Sequence, residues 1–188
     1  IFNGTGTLTT PKIDADYNQQ IFGSSLVVVN PKSATGKFSA QWWGVVADGA
    51  TDNTANLNMV NTAVATSYQK NIIFPGGQLN YLISGTVTIA SSITLSFEEG
   101  AILNVTGSLN GGIIDAPYTQ QIFAVYSIIN PTGFRGEWLS VRWFGAKGDN
   151  SNNDQPAIQS AVLTLNRNKN KFTVIFFRFI NTAKKKVC

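Results

Sequence analysis

The chain matches itself when it is slid along by 101 residues. Trp42-Trp43-Gly44 falls on Trp143-Phe144-Gly145, and Ile13-Asp14-Ala15 on Ile114-Asp115-Ala116. Gln19-Gln20-Ile21-Phe22 falls on Gln120-Gln121-Ile122-Phe123, and the opening Ile1-Phe2-Asn3 on Ile102-Leu103-Asn104. Asn30-Pro31 returns as Asn130-Pro131, a slip of one residue that is recovered before Trp143. Self-similarity at a fixed period is the mark of a repeat architecture, and any fold assigned to the chain has to be assigned twice. The expected division is the end of a first strand-rich module over 1–40, a complete unit over 41–140, and the truncated start of a second unit over 141–188. Both ends fall in mid-unit, so the expectation is a segment of a longer array.

Each unit reads in the same order. A loop rich in Asn, Asp and Gly comes first: Ala47-Asp48-Gly49-Ala50-Thr51-Asp52-Asn53, and Gly148-Asp149-Asn150-Ser151-Asn152-Asn153-Asp154. Short polar side chains there can bond nearby amides and tolerate tight backbone. A helix follows. Leu57, Val60, Ala63 and Val64 mark its apolar face in the first unit, and Ile158, Ala161, Val162 and Leu165 in the second. Pro156 suits a first helical turn. Asp52 or Asn53, and Asn153 or Asp154, are natural N-caps. Asp48 recurs as Asp149, and Asp52 is matched to Asp154 with a one-residue shift.

Short strands then begin. Ile72-Ile73-Phe74 runs into the turn Pro75-Gly76-Gly77. Leu79, Tyr81 and Ile83 alternate, as do Val87 and Ile89, then Ile93, Leu95 and Phe97. Ile102-Leu103, Leu109 and Ile113-Ile114 follow. Period-2 runs separated by Gly, Ser and Asn indicate strands. No second helix separates them, so a β-α-β sheet is not expected. A strand-rich coil is, with an amphipathic helix capping the open edge of its first turn.

Composition removes several functions. There is no His, and the one Cys is Cys188. Ser-His-Asp and Cys-His catalysis are therefore out, as are a disulfide within the chain and a zinc site of Cys and His. No cofactor or metal is expected. Apolar residues make up 43% and charged residues 13%, which suits a packed domain and not a disordered one. The charge of +4 gathers in Lys184, Lys185 and Lys186 and around Arg167, Lys169 and Lys171. These positions are terminal or in a loop, without the interleaved aromatics of a nucleic-acid surface, so no nucleic-acid partner is expected. No apolar run reaches the roughly 18 residues of a membrane span, and no membrane insertion is expected.

Trp143-Phe144-Gly145-Ala146-Lys147-Gly148-Asp149, then Asn153-Asp154 and the helix from Ala157, resembles the opening motif of pectate-lyase-like β-helix proteins. Ile72-Ile73-Phe74-Pro75-Gly76-Gly77 resembles the strand end that follows that family's capping helix. The resemblance covers most of the chain. It implies a mainly β fold of short right-handed parallel β-helix-like modules in tandem, each with a capping α-helix. The family is frequent in bacteriophage tailspikes and in secreted polysaccharide-degrading enzymes. The chain departs from the pattern at Ala47, at Asn53 and after Phe176, where Phe177-Arg178-Phe179 replaces the expected Pro-Gly turn. A truncation or frame shift near Phe177 is the expectation there.

Chemistry-bearing residues are sparse. Glycoside hydrolases use two carboxylates about 5–10 Å apart. Asp48, Asp52, Asp149 and Asp154 read as caps and turns, Glu98 and Glu99 as solvated turn acids, and Asp14 and Asp115 as turn residues. No catalytic residue is assigned. The candidates for stacking on a sugar are Trp138, Trp43 and Trp143, although Trp42, Trp43, Trp143 and Phe144 read more readily as a hydrophobic plug between unit and helix. Few strands separate one opening motif from the next, which leaves little room for a long groove. The expected function is a structural or receptor-binding component of a phage tail spike or fibre, in the virion or outside the cell. It would be a homotrimer or held by other virion proteins, with host surface polysaccharide as a contact. The alternatives are a fragment of a polysaccharide lyase or glycoside hydrolase, and a secreted carbohydrate-binding module.

Overall fold

A computed structural model describes residues 1–76, 80–135 and 138–167, and the backbone of 173–175. It is mainly β, with two α-helices among the described residues. In chain order come β1 (Gly6–Thr9), β2 (Lys12–Ile13), β3 (Leu26–Val29), β4 (Lys32–Ser33) and β5 (Phe38–Ser39). A 3₁₀ turn, Ala40–Trp43, leads to α1 (Thr54–Thr66). Then follow β6 (Asn71–Phe74), β7 (Tyr81–Ile83), β8 (Thr86–Phe97), β9 (Leu103–Val105), β10 (Ser108–Asp115), β11 (Ile129–Asn130), β12 (Gly133–Phe134) and β13 (Trp138–Ser140). A second 3₁₀ turn, Val141–Phe144, precedes α2 (Gln155–Arg167) and β14 (Thr173–Ile175).

Every strand pairing among the described residues is parallel. Leu8 lies against Val28, Val87 against Leu109, and Ile113 against Gly133. The chain thus returns beside itself about every twenty residues. Where the step is longer, from Phe38 to Ile72, α1 occupies the extra length. The largest sheet runs β11-β10-β8-β6-β5, with β12 also on β10. The runs expected at Val87–Ile89 and Ile93–Phe97 are one strand, β8, that turns a corner against β10. The register breaks between Gly111 and Ile113. Gly111 has φ of 74°, and a Cβ there would stand 2.0 Å from the Ile89 carbonyl oxygen, so only glycine fits the corner.

The helix expected at an open end lies inside the stack. On one side Thr66 of α1, with Ser67 and Gln69 just beyond the helix, satisfies β3 and β4 and the chain beside them. Thr66 Oγ1 accepts from the Asn30 N–H at 2.6 Å, Gln69 Oε1 from the Ser33 N–H at 2.6 Å, and Ser67 Oγ donates to the Pro31 carbonyl at 2.7 Å. On the other side it satisfies β8. Asn61 Oδ1 accepts from the Ala90 N–H at 2.8 Å, Thr54 Oγ1 from the Gly85 N–H at 2.9 Å, and Asn58 Nδ2 donates to the Thr86 carbonyl at 3.4 Å. One helix therefore closes two strand edges that would otherwise lie open.

Leu57, Val60, Ala63 and Val64 are the buried face of α1, as the periodicity indicates. The face of α2 agrees with the expected one except at Val162. Ala157, Ser160, Ala161 and Thr164 are buried, Ile158 and Leu165 are half-buried, and Val162 is exposed. Small residues let α2 sit close, and Ser160 Oγ accepts from the Tyr126 N–H at 2.9 Å. The strand matching β8, which covers that side of α1, would begin at about residue 187, outside the described residues. The expected change of reading near Phe177, the lysines at 184–186, Cys188 and Leu79 also lie outside them.

One apolar core runs from Ile13 to Ala161. Its spine is aromatic. Tyr81 and Phe74 lie 5.5 Å apart, Phe74 and Phe97 5.3 Å, Phe97 and Phe123 6.0 Å, and Phe123 and Phe144 5.5 Å. This column passes from the first unit into the second without a break. Phe74 is fully buried within it. Phe74→Ala is expected to cost about 3–5 kcal/mol, read as a lower urea midpoint with the slope unchanged.

Candidate functional site

The repeated Trp motif is a packing device. Ser39 and Ser140 each cap a 3₁₀ turn, their hydroxyls accepting from the N–H groups of Gln41 and Arg142 at 3.2 Å. The same hydroxyls donate to the carbonyls of Tyr17 and Tyr118. Nε1 of Trp42 donates to the Asp16 carbonyl at 2.7 Å, and Nε1 of Trp143 to the Pro117 carbonyl at 2.8 Å. Trp43 is 2% exposed and Trp143 1%, so neither offers a ring face to a sugar. Trp43 packs on Phe22 at 4.9 Å, and Trp143 stacks on Tyr118 at 5.9 Å. Of the three Trp candidates only Trp138 is open to solvent, at 43%.

The acidic loops are self-contained. Asp48 accepts from the N–H groups of Ala50 and Thr51 and from the Thr51 hydroxyl. That hydroxyl first, and then the amides, lower its pKa to about 2. Asp149 accepts from the N–H groups of Ser151 and Asn152, the Asn152 amide foremost, and lies well below the usual carboxylate range. Asp52 is held equally low, first by the Ser84 N–H and then by the Thr54 hydroxyl. The pairing of Asp52 with Asp154 needs correcting. Asn53 Oδ1 accepts from the Val46 N–H at 2.8 Å, and Asp154 Oδ1 accepts from the Lys147 N–H at 2.8 Å. Asp154 is therefore the counterpart of Asn53, at the full offset of 101, and Asp52 that of Asn153. Both of the latter accept from an N–H two residues on. Asn53 is the N-cap residue, but its side chain holds the loop instead of the helix.

Two concave surfaces exist among the described residues that bear on function. The first, of about 330 Å³, lies between β3 and α1 and is lined by Leu26, Val28, Trp43 and Met59 among others; it is mostly apolar. The second, of about 490 Å³, is polar and lies on the outer face of the long sheet. Ile73, Ser96 and Asp115 are successive partners across β6, β8 and β10, and Arg135 follows β12 on the next strand. Glu98 stands two residues beyond Ser96 on the same face. Lys37 and Tyr17 close the near side, and Pro117 the far side.

Asp115 Oδ2 is 3.1 Å from Arg135 Nη1. Glu98 Oε2 accepts from the Gly76 N–H at 3.1 Å. The hydroxyl of Tyr17 donates to Thr35 Oγ1 at 2.7 Å, which fixes the ring at the edge of the groove. Asp115 and Glu98, expected to be turn acids, are thus brought into one groove with two cations and an aromatic ring. Trp138 is not among the residues that line this groove. At the offset of 101 it holds in the second unit the place that Lys37 holds in the first. The local sequence carried no sign of the groove, because it is made by strands about twenty residues apart.

No group of three or more His, Cys, Asp or Glu suited to a metal ion occurs among the described residues. No described helix is long and apolar enough to cross a membrane. Comparison with family models, with curated proteins and with solved structures found no match.

The depressed carboxylates set a pH dependence. Their contribution to stability is full above the ordinary value of 3.8 and is lost as pH falls through the folded values. The melting temperature is expected to drop between pH 4 and pH 2. Asp48→Asn with Asp149→Asn should flatten that drop in a calorimetric pH series, and an unchanged slope would contradict the assignment.

Proposed function

We propose that the chain is a structural and glycan-contacting part of a larger spike- or fibre-like assembly, built from tandem right-handed parallel β-helix modules of the pectate-lyase-like kind. The observation that carries the reading is the run of parallel pairings at steps of about twenty residues, repeated with the unit. A parallel pairing needs a connection of a dozen or more residues, and here those connections are short strands and turns without a helix. A chain wound in this way makes a stiff, quasi-one-dimensional rod. Such a rod suits connection and display.

The polar groove supports contact with polysaccharide. Carboxylates accept from sugar hydroxyls, Lys37 and Arg135 donate to them, and Tyr17 offers a flat apolar face to a ring. Assembly as a homotrimer belongs to the same reading. Exposed apolar side chains such as Val27 at 51%, Tyr126 at 58% and Tyr68 at 69% are surface that assembly would cover. A phage virion, or another extracellular assembly, is the setting this reading implies.

An enzyme fragment is the second reading, and it rests on one fact: Glu98 and Asp115 line the same groove. Both are engaged, one by an amide and the other by a guanidinium, which suits binding better than proton transfer. Loss of depolymerising activity in Glu98→Gln and Asp115→Asn would favour it.

Two measurements test the first reading. Light scattering is expected to give three times the chain mass of 20.3 kDa; a monomer at micromolar concentration contradicts the trimer. On a panel of bacterial surface polysaccharides, Lys37→Ala with Tyr17→Ala is expected to weaken binding at least about tenfold, the loss of a stacked ring and a charged contact. Undiminished binding by this variant would remove the groove from the account.

A further inference from the structure

The two units do not treat the same edge alike. In the second unit the strands β9 and β10 are covered by earlier ones. β7 pairs with β9 and β8 with β10. The N–H groups of Thr106 and Gly107 donate to the Ile83 carbonyl at 3.0 and 3.1 Å, and that of Ser108 donates to the Gly85 carbonyl at 3.0 Å. In the first unit the counterparts are Phe2, β1 and β2. Among the described residues β1 pairs with β3 alone and β2 with β4 alone. Phe2 is 65% exposed and Ile1 70%, while Leu103, which matches Phe2, is fully buried.

Gly6 supplies a second and independent sign. Its counterpart is Gly107, where a Cβ would stand 2.0 Å from the Gly85 carbonyl oxygen and 2.5 Å from that of Ser84. The preceding strand therefore demands glycine at Gly107. At Gly6 nothing lies within 4 Å of a Cβ position, and its φ of 159° is close to fully extended. Gly6 has the residue type that a close neighbouring strand requires, at an edge where no described residue is that neighbour.

We infer that the edge formed by Phe2, β1 and β2 is a docking edge for a β7–β8-type strand pair from a further unit of this repeat. The register is given by the second unit: the incoming strand would pair with β1 as Thr86-Val87-Thr88-Ile89 pairs with Ser108-Leu109-Asn110-Gly111. Phe2 would then enter the aromatic column as Leu103 enters the core. A second copy of this chain cannot supply that pair from its own β8, which is already bonded to β6 and β10. The inference rests on the repeat register and stands whether or not the chain binds polysaccharide.

The test uses the full chain and a version in which residues 1–101 are written a second time ahead of Ile1, so that Ala101 meets Ile1 as it meets Ile102. Hydrogen exchange read by mass spectrometry is expected to slow at least about tenfold in the inner Gly6–Thr9 segment of the extended protein. Gly6→Val should abolish that slowing in the extended protein and leave the original chain's melting temperature unchanged. Gly107→Val, in the original chain, should speed exchange in β10. Equal exchange of β1 in both proteins would overturn the inference, as would indifference of the extended protein to Gly6→Val or of the original chain to Gly107→Val. Slow exchange of β1 in the original chain that grows with concentration would overturn it in favour of a second copy.

Discussion

A stack of parallel strands always has a first and a last edge, and the backbone groups on those edges must be bonded. This constraint organises the molecule. Where the stack is continuous, the next strand meets it, as β8 meets β10. Where the chain breaks the stack to insert a helix, the side chains of α1 meet it on both sides. Thr66 and, in the turn just after the helix, Gln69 face β3 and β4, while Thr54, Asn58 and Asn61 face β8. The polar residues on the sides of α1 thus have a specific purpose, and its narrow apolar face does the rest. No buried side-chain nitrogen or oxygen among the described residues lacks a partner.

The same constraint explains why the aromatic residues face inward. An interior wound from short strands is filled in layers, and each return of the chain brings a new ring beside the last. The column from Tyr81 to Phe144 is the result, and the Trp of each opening motif is tied to the preceding turn through its indole N–H. The motif that most resembles a known family is therefore spent on holding the stack together. On the outer face of the sheet stand polar side chains instead, Lys37, Glu98 and Asp115 with its partner Arg135.

Much of the fold was legible because the unit is written twice. The offset of 101 aligns caps, turns and indole bonds residue by residue, and the face of α1 follows from its spacing. The errors have physical causes. Asp52 was matched to Asp154 by residue type, whereas position matches Asn53 to Asp154, since either side chain can accept the amide of the loop. On α2 the departure is Val162, and the buried face also takes in Ser160 and Thr164, polar residues that apolar spacing does not mark. The groove was illegible because parallel pairing joins residues about twenty apart, as when Ser96 meets Asp115, and no local pattern records that neighbour.

The central claim is that α1 binds the strands before it and after it into one stack. Native-state hydrogen exchange across a urea series tests it most directly, read separately for the β3–β4 segment and for β8 with β10. Coincident opening of the two segments, with one midpoint and one dependence on urea, is the expected result. Opening of β3 and β4 at lower urea while β8 and β10 stay protected would contradict it, and would make the helix an end cap on a separate module.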